Sequence, residues 1–242
     1  MCGIAGLMMR DGTVPDPAVL DRLQAAIAHR GPDGDGRLVR GNVALVHSRL
    51  AIIDLVTGDQ PLFVPSGAAL VANGEIYNNP ELRQAMAGTP FRTGSDCEPA
   101  LWLYESEGEG FADRLRGMYA IAIHDEARGR LILARDPFGI KPLYFVLTPT
   151  SVAFASEPQA LLAAGFGGRE PDPVAQAELL QLKFTTGSST VFPGIKRVLP
   201  GETLVFGASG PPSSRRRAAL PQGGPQPIEA ATALKKLDEV LV

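Results

Sequence analysis

The chain has almost no cysteine. Two in 242 residues, Cys2 and Cys97, cannot build the disulfide framework that holds small secreted domains together. Histidine is nearly as scarce. His29, His47 and His124 fall in no H-x-x-x-H pattern, and with no C-x-x-C pair no metal site is expected. No apolar run approaches the ~20 residues a membrane-spanning helix needs, so no membrane partner is expected either. The net charge is only −3, with Arg215-Arg216-Arg217 as the one block of like charges, which argues against a nucleic-acid surface. The N-terminus lacks the charged-then-apolar build of a signal peptide, from which a cytoplasmic protein is expected. What remains is a chain with 45% apolar residues, enough to fill the core of one large domain or two small ones.

Against these absences stands the opening Met1-Cys2-Gly3-Ile4-Ala5-Gly6-Leu7. Cys2 becomes the first residue once the initiator is removed, which its small side chain permits. Thiol and free α-amine then share one residue. An α-amine titrates at roughly 7.7–8.0, so near neutrality a good fraction is free to act as a base. An N-terminal amine beside its own nucleophile is a recognised catalytic device. The Gly-punctuated apolar run behind it reads as a buried strand. The heptapeptide alone leaves a second reading open, in which Cys2 is merely a small residue after the start codon.

The rest of the pattern is mixed. Asp16-Pro17 reads as a helix cap with proline at the first helical position, and Val19, Leu20, Leu23, Ala26 and Ile27 follow at helical spacing. Strands are expected at 43–47, 49–53, 68–72, 143–147 and 151–155. A hairpin is expected from residues 119–123 and 131–133 around Ala127-Arg128-Gly129. Helices are expected near 80–87, 98–107, 157–164 and 173–182. Strands that arrive mostly as hairpins indicate an α+β fold with antiparallel sheets whose outer faces are covered by helices. Residues 207–227, crowded with Gly, Pro, Ser, Gln and Arg, have a linker composition. Helical spacing returns at 228–242 through Ala231, Leu234, Leu237 and Leu241.

Several polar clusters can be set around Cys2, each with a plainer alternative. Asn73-Gly74 at the end of a strand offers an amide and a backbone N–H, the donor set of an oxyanion hole, or is simply an Asn-Gly turn. Arg49 either grips a carboxylate bidentately or pairs with an acidic side chain. Asp96 either holds an ammonium group or caps the following helix.

Six motifs then occur in order: MCGIAG, His29-Arg30-Gly31-Pro32-Asp33, the run Arg49–Asp54, the run Asn73–Asn78, Gly94-Ser95-Asp96-Cys97-Glu98, and the run Arg135–Tyr144. From Cys2 to about Phe206 the chain closely resembles the N-terminal glutaminase domain of glutamine-hydrolysing asparagine synthetases, a class II glutamine amidotransferase of the N-terminal-nucleophile hydrolase type. The resemblance implies a four-layer αββα sandwich. It also implies Cys2 as nucleophile with its own amine as base, and Asn73 and Gly74 as the oxyanion hole. Arg49 would hold the α-carboxylate of L-glutamine, and Asp96, helped by Glu75, its α-ammonium. The backbone of Leu50, Ala51, Ile52 and Ile53 would line the pocket, and residues 29–36 would be a mobile loop over bound glutamine. The Arg135–Tyr144 motif is expected to be scaffold, and Cys97, His29 and His47 structural.

The expected organisation is a glutaminase domain at 1–206, a linker at 207–227 and a helical stub at 228–242. Such a stub would open a synthetase domain whose Ser-Gly-Gly phosphate loop the chain lacks. No cofactor is therefore expected, since ATP and magnesium would belong to that absent domain. A separate synthetase subunit or a second copy of the chain is the expected protein partner. Two other readings remain at this stage. One is a glutamine-sensing or subunit-binding module without turnover, and the other is an N-terminal-Cys hydrolase or acyltransferase on another substrate.

Overall fold

A computed structural model of the chain describes residues 1–220, 223–224 and 227–241. The first half runs β1 (Gly3–Met9), α1 (Pro17–Ile27), β2 (Gly34–Arg40), β3 (Val43–Arg49), β4 (Leu62–Phe63), β5 (Ala69–Ile76), α2 (Asn79–Ala85) and α3 (Glu98–Glu107). A 3-10 stretch at Gly108–Arg114 leads to β6 (Gly117–Asp125), β7 (Arg130–Arg135), β8 (Tyr144–Leu147), β9 (Ser151–Ala155) and α4 (Pro158–Ala163). The chain continues through α5 (Pro173–Leu182), β10 (Lys196–Arg197), β11 (Glu202–Phe206), β12 (Ser213–Arg216) and α6 (Ala230–Leu241). Among the described residues the strands form two six-stranded sheets, β10-β8-β9-β1-β3-β2 and β12-β11-β7-β6-β5-β4. Every named strand pair is antiparallel.

Alternate residues of the central strands supply different layers, because successive side chains of a strand point to opposite faces. Ile4, Met8, Val43, Leu45, Ala69, Val71, Ala120, Ala122, Leu131, Leu133 and Phe154 meet between the sheets. Ala5, Leu7, Ala44 and Val46 face Leu20, Leu23 and Ile27 of α1 and Leu161 of α4. On the far side, Leu70, Ala72, Ile121 and Ile123 face Leu101 and Tyr104 of α3. Helix, sheet, sheet, helix is the four-layer αββα sandwich expected. Strands covered on both faces have no polar side to show, which explains the unbroken apolar runs of β1 and β6. α1 begins as its sequence suggests, with Asp16 Oδ1 accepting from Ala18 N at 2.9 Å and Pro17 in the first turn.

Three local expectations are corrected. Residues 49–53 are not a strand. Arg49 ends β3, and beyond it Ile52, 72% exposed, and Ile53 stand in a loop that pairs with no neighbour. Residues 29–36 are not a loop throughout, because Gly34 already opens β2, which pairs with β3 from Gly34↔Arg49 onward. Two of the three glycines there answer to packing: a Cβ on Gly31 would lie 2.4 Å from the Ser48 carbonyl, and one on Gly36 1.7 Å from Gln60 O. Within 207–227 the structure holds the short edge strand β12, paired to β11 from Glu202↔Arg216 to Val205↔Ser213. Its side chains are all exposed, so it leaves no apolar trace in the sequence. α6 is a helix with no buried residue. Position 242 and positions 221–222 and 225–226 lie outside the described residues.

Candidate active site

The inner faces of the strands turn from apolar to polar at one end of the sandwich. Along β3 the inward positions read Val43, Leu45, His47, Arg49, and along β5 they read Ala69, Val71, Asn73, Glu75. Ile4 of β1 is preceded at the same period by Cys2, and Ala120 of β6 by Met118. Six of these residues, Cys2, His47, Arg49, Asn73, Glu75 and Met118, line one cleft together with Asp96, Cys97, Gln60 and Lys141. Strand parity alone has gathered them. The inter-sheet core ends and a polar pocket of about 100 Å³ begins.

Cys2 sits beside the Leu50 backbone. Its Sγ is 3.4 Å from Leu50 N, which donates to it, and 3.5 Å from Leu50 O, which accepts from the thiol. The sulfur thus has one backbone donor and one backbone acceptor within reach. The residue is anchored by Arg30 Nε, which donates to Cys2 O at 3.0 Å, while Arg30 Nη1 is tied to Glu157. Met1 is 57% exposed, and the buried Lys141 places Nζ 3.5 Å from its Sδ.

Asn73 is 2% exposed, and its Nδ2 has no hydrogen-bond partner. A buried donor left unpaired costs about 1–3 kcal/mol, so such groups are rare unless they serve an incoming acceptor. The expected alternative of a turn does not hold. Asn73 and Gly74 lie inside β5, paired opposite Ala120 and Tyr119 of β6. Gly74 is required by that pairing, since a Cβ would stand 2.7 Å from Met118 O and 2.8 Å from Tyr119 Cβ.

Arg49 is held tightly at the cleft. Its Nη1 donates to Asp59 Oδ1 at 2.8 Å and its Nη2 to Asp54 O at 2.5 Å. Gly58 makes room for the second bond, because a Cβ there would fall 2.8 Å from Nη2. Asp54 itself has φ of 52° and fastens the loop by accepting from Thr57 N, Thr57 Oγ1 and Gly94 N.

Asp96 is buried and accepts from Ile76 N at 2.6 Å. Burial pushes its carboxyl above the ordinary range, only partly offset by that N–H, and the nearby Glu75 adds to the rise. A cation delivered there would relieve both effects. Cys97 is buried with Sγ 3.9 Å from Asp96 Oδ2. Burial and the Asp96 charge push its thiol well up, so it is no competing thiolate.

Of the sequence-derived set, Cys2, Arg49, Leu50, Ile52, Ile53, Asn73, Gly74, Glu75 and Asp96 all line the cleft. Ala51 does not. Its N–H is donated to Asp33 Oδ2 at 2.8 Å instead. Sequence reasoning missed Lys141 by assigning its whole motif to scaffold. That role fits its neighbours: Asp136 accepts from Phe138 N, Ile140 N and Lys141 N, and Arg135 donates to three carbonyls. A lone lysine between Ile140 and Pro142 was the available signal.

His47 was expected to be structural, and it lines the cleft with neither ring nitrogen in a hydrogen bond. Burial is the main cause that pushes the imidazole pKa down, to about 4, and the nearby Arg49 charge lowers it further. The unfolded chain, titrating near 6.5, binds a proton more readily than the folded one between those values. The resulting stability is complete above pH 6.5 and lost as pH falls toward 4, by about 3 kcal/mol in all. Urea unfolding of the wild type should therefore lose more stability between pH 7 and pH 4.5 than that of His47→Gln. Equal losses would show that His47 is not held neutral.

Among the described residues no helix is long and apolar enough to cross a membrane. None of their His, Cys, Asp and Glu side chains gather in threes as a metal site would require.

Residues 1–215 match a family described as a glutamine amidotransferase domain. A glutamine-hydrolysing asparagine synthetase 1 of Bacillus subtilis is 36% identical over 216 residues, 87% of this chain and 34% of that protein. A second B. subtilis asparagine synthetase is 39% identical, covering 67% of this chain and 22% of its own length. An Arabidopsis thaliana asparagine synthetase 3 is 43% identical, covering 66% and 28%. The chain thus spans only a fifth to a third of the relatives it matches. Among solved structures, the B. subtilis glutamine phosphoribosylpyrophosphate amidotransferase superposes with a TM-score of 0.66 at 23% identity. It covers 89% of this chain and 49% of its own, and it shows the same fold.

Proposed function

The chain belongs to the glutamine amidotransferase domain family, and from that premise we propose that it hydrolyses the side-chain amide of L-glutamine, giving glutamate and ammonia. The observation that carries this reading is the pairing, in one cleft, of the Cys2 thiol with a buried Asn73 amide that donates to nothing.

Removal of the exposed Met1 frees the Cys2 α-amine beside its thiol. The amine takes the thiol proton as Sγ attacks the amide carbon of glutamine. The carbonyl oxygen becomes an oxyanion held by Asn73 Nδ2 and Gly74 N–H. The amine then passes its proton to the departing nitrogen, ammonia leaves, and a thioester remains on Cys2. Water attacks the thioester, gives a proton to the amine, and the same oxyanion hole is used again. Collapse expels glutamate and restores the thiol. Arg49 holds the α-carboxylate of glutamine and Asp96, with Glu75, its α-ammonium. A substrate fixed at both ends presents its amide to Cys2 without a search.

Binding and chemistry are thus divided between residues. Arg49→Ala and Asp96→Asn should mainly raise the KM for glutamine, by tenfold or more for loss of a buried charged partner. Steady-state glutamate release tests this, and an unaltered KM in Arg49→Ala would remove the carboxylate assignment.

At the level of the whole relatives, the chain corresponds to the part that liberates ammonia in an asparagine-synthetase-like reaction. The acceptor would be activated elsewhere, on a separate synthetase subunit or segment. Cys2, Arg49, Asn73, Gly74, Glu75 and Asp96 all come from this chain, so ammonia release should be measurable on this chain alone.

A further inference from the structure

Arg49 is already occupied by a carboxylate. We propose that Asp59 is an internal competitor for the Arg49 guanidinium, occupying the place that the α-carboxylate of glutamine takes on binding, and that it thereby sets the affinity of the cleft for its substrate. The inference rests on the reading of Arg49 as the carboxylate holder.

Three observations support it. Asp59 Oδ1 lies 2.8 Å from Arg49 Nη1, the same charge-assisted contact that a substrate carboxylate would make. The two partners differ in freedom: the Arg49 side chain is 9% exposed and the Asp59 side chain 81%. Arg49 is buried and fastened a second time by Asp54 O, whereas Asp59 makes no other side-chain hydrogen bond among the described residues. Its neighbours Gly58 and Gln60 both line the cleft, which sets Asp59 at the lip. A ligand carboxylate can therefore displace Asp59 into water without disturbing the guanidinium. A merely orienting role is unnecessary, because burial and the Asp54 carbonyl already fix Arg49.

The cost to the substrate is the loss of a largely exposed ion pair, roughly two- to fivefold in affinity. Steady-state kinetics of the wild type, Asp59→Ala and Asp59→Asn provide the test. The probes are glutamine as substrate and 4-aminobutanamide, which is glutamine without its α-carboxylate, as competitive inhibitor. Asp59→Ala should lower the glutamine KM two- to fivefold, with Asp59→Asn shifting in the same direction. The inhibition constant of 4-aminobutanamide should not move, since it makes no demand on Arg49. An unchanged or raised glutamine KM in Asp59→Ala, beside a raised KM in Arg49→Ala, would overturn this proposal and leave the Arg49 assignment standing. Equal tightening of both ligands would overturn it as well, showing a general opening of the cleft. An unaltered KM in Arg49→Ala would overturn the assignment of Arg49 and the proposal with it.

Discussion

Cys2→Ala should abolish the release of glutamate from glutamine while leaving glutamine binding intact. The nucleophile is lost, so no thioester can form, and what survives is at most the ~10³–10⁴-fold advantage over water that binding and an oxyanion hole retain without a nucleophile. That is below an ordinary assay. Binding should persist because Arg49 and Asp96 reach the cleft from the end of β3 and from the segment before α3, neither of which depends on the thiol. Calorimetry with glutamine, run beside the activity assay, separates the two. A form that keeps Met1 should be nearly as inactive, since the Cys2 nitrogen is then an amide and cannot serve as base. A Cys2→Ala protein that still releases glutamate above background would end the account of Cys2.

Asn73→Ala should lower kcat by ~10²–10³ with little change in KM, the usual cost of losing one oxyanion donor. The same substitution has a second, less intuitive consequence. Because Nδ2 donates to nothing, its removal forfeits no native hydrogen bond at that atom and relieves the penalty of burying an unpaired donor. The side chain leaves a small void in return. Thermal unfolding should therefore shift far less than for a buried amide that is fully bonded, even as turnover collapses. A large drop in Tm with modest loss of kcat would mean that Asn73 is structural.

Much of this was legible before the fold was known, and the reasons differ by element. α3 opens on Glu98-Pro99 and α5 on Pro173 after its cap Asp172, a first-turn proline marking each start, and both span the residues expected. The β6–β7 hairpin was plain because both strands are apolar and the turn between them holds Gly129 at φ 59°. Residues 50–53 misled because they are apolar without being buried, as the exposure of Ile52 shows. β2 was hidden for the opposite reason. Its Gly34-Asp35-Gly36-Arg37 start reads as loop, yet it lies on the edge of a sheet where one face meets water. The motifs carried the site residues, but not their common origin. That Cys2, His47, Arg49 and Asn73 continue the inward series of three strands depends on which sheet faces oppose each other, and no single strand's alternation records that. Lys141 and the grip of Asp59 on Arg49 are likewise contacts between segments far from local pattern.

The most direct test of the central claim is the intact mass of the purified chain, measured before and after treatment with a glutamine analogue that carries an electrophile in place of its amide. The account predicts a mass short of Met1, a gain of a single label that excess glutamine prevents, and no label on Cys2→Ala. An active protein that retains Met1, or a label that persists in Cys2→Ala, would contradict it.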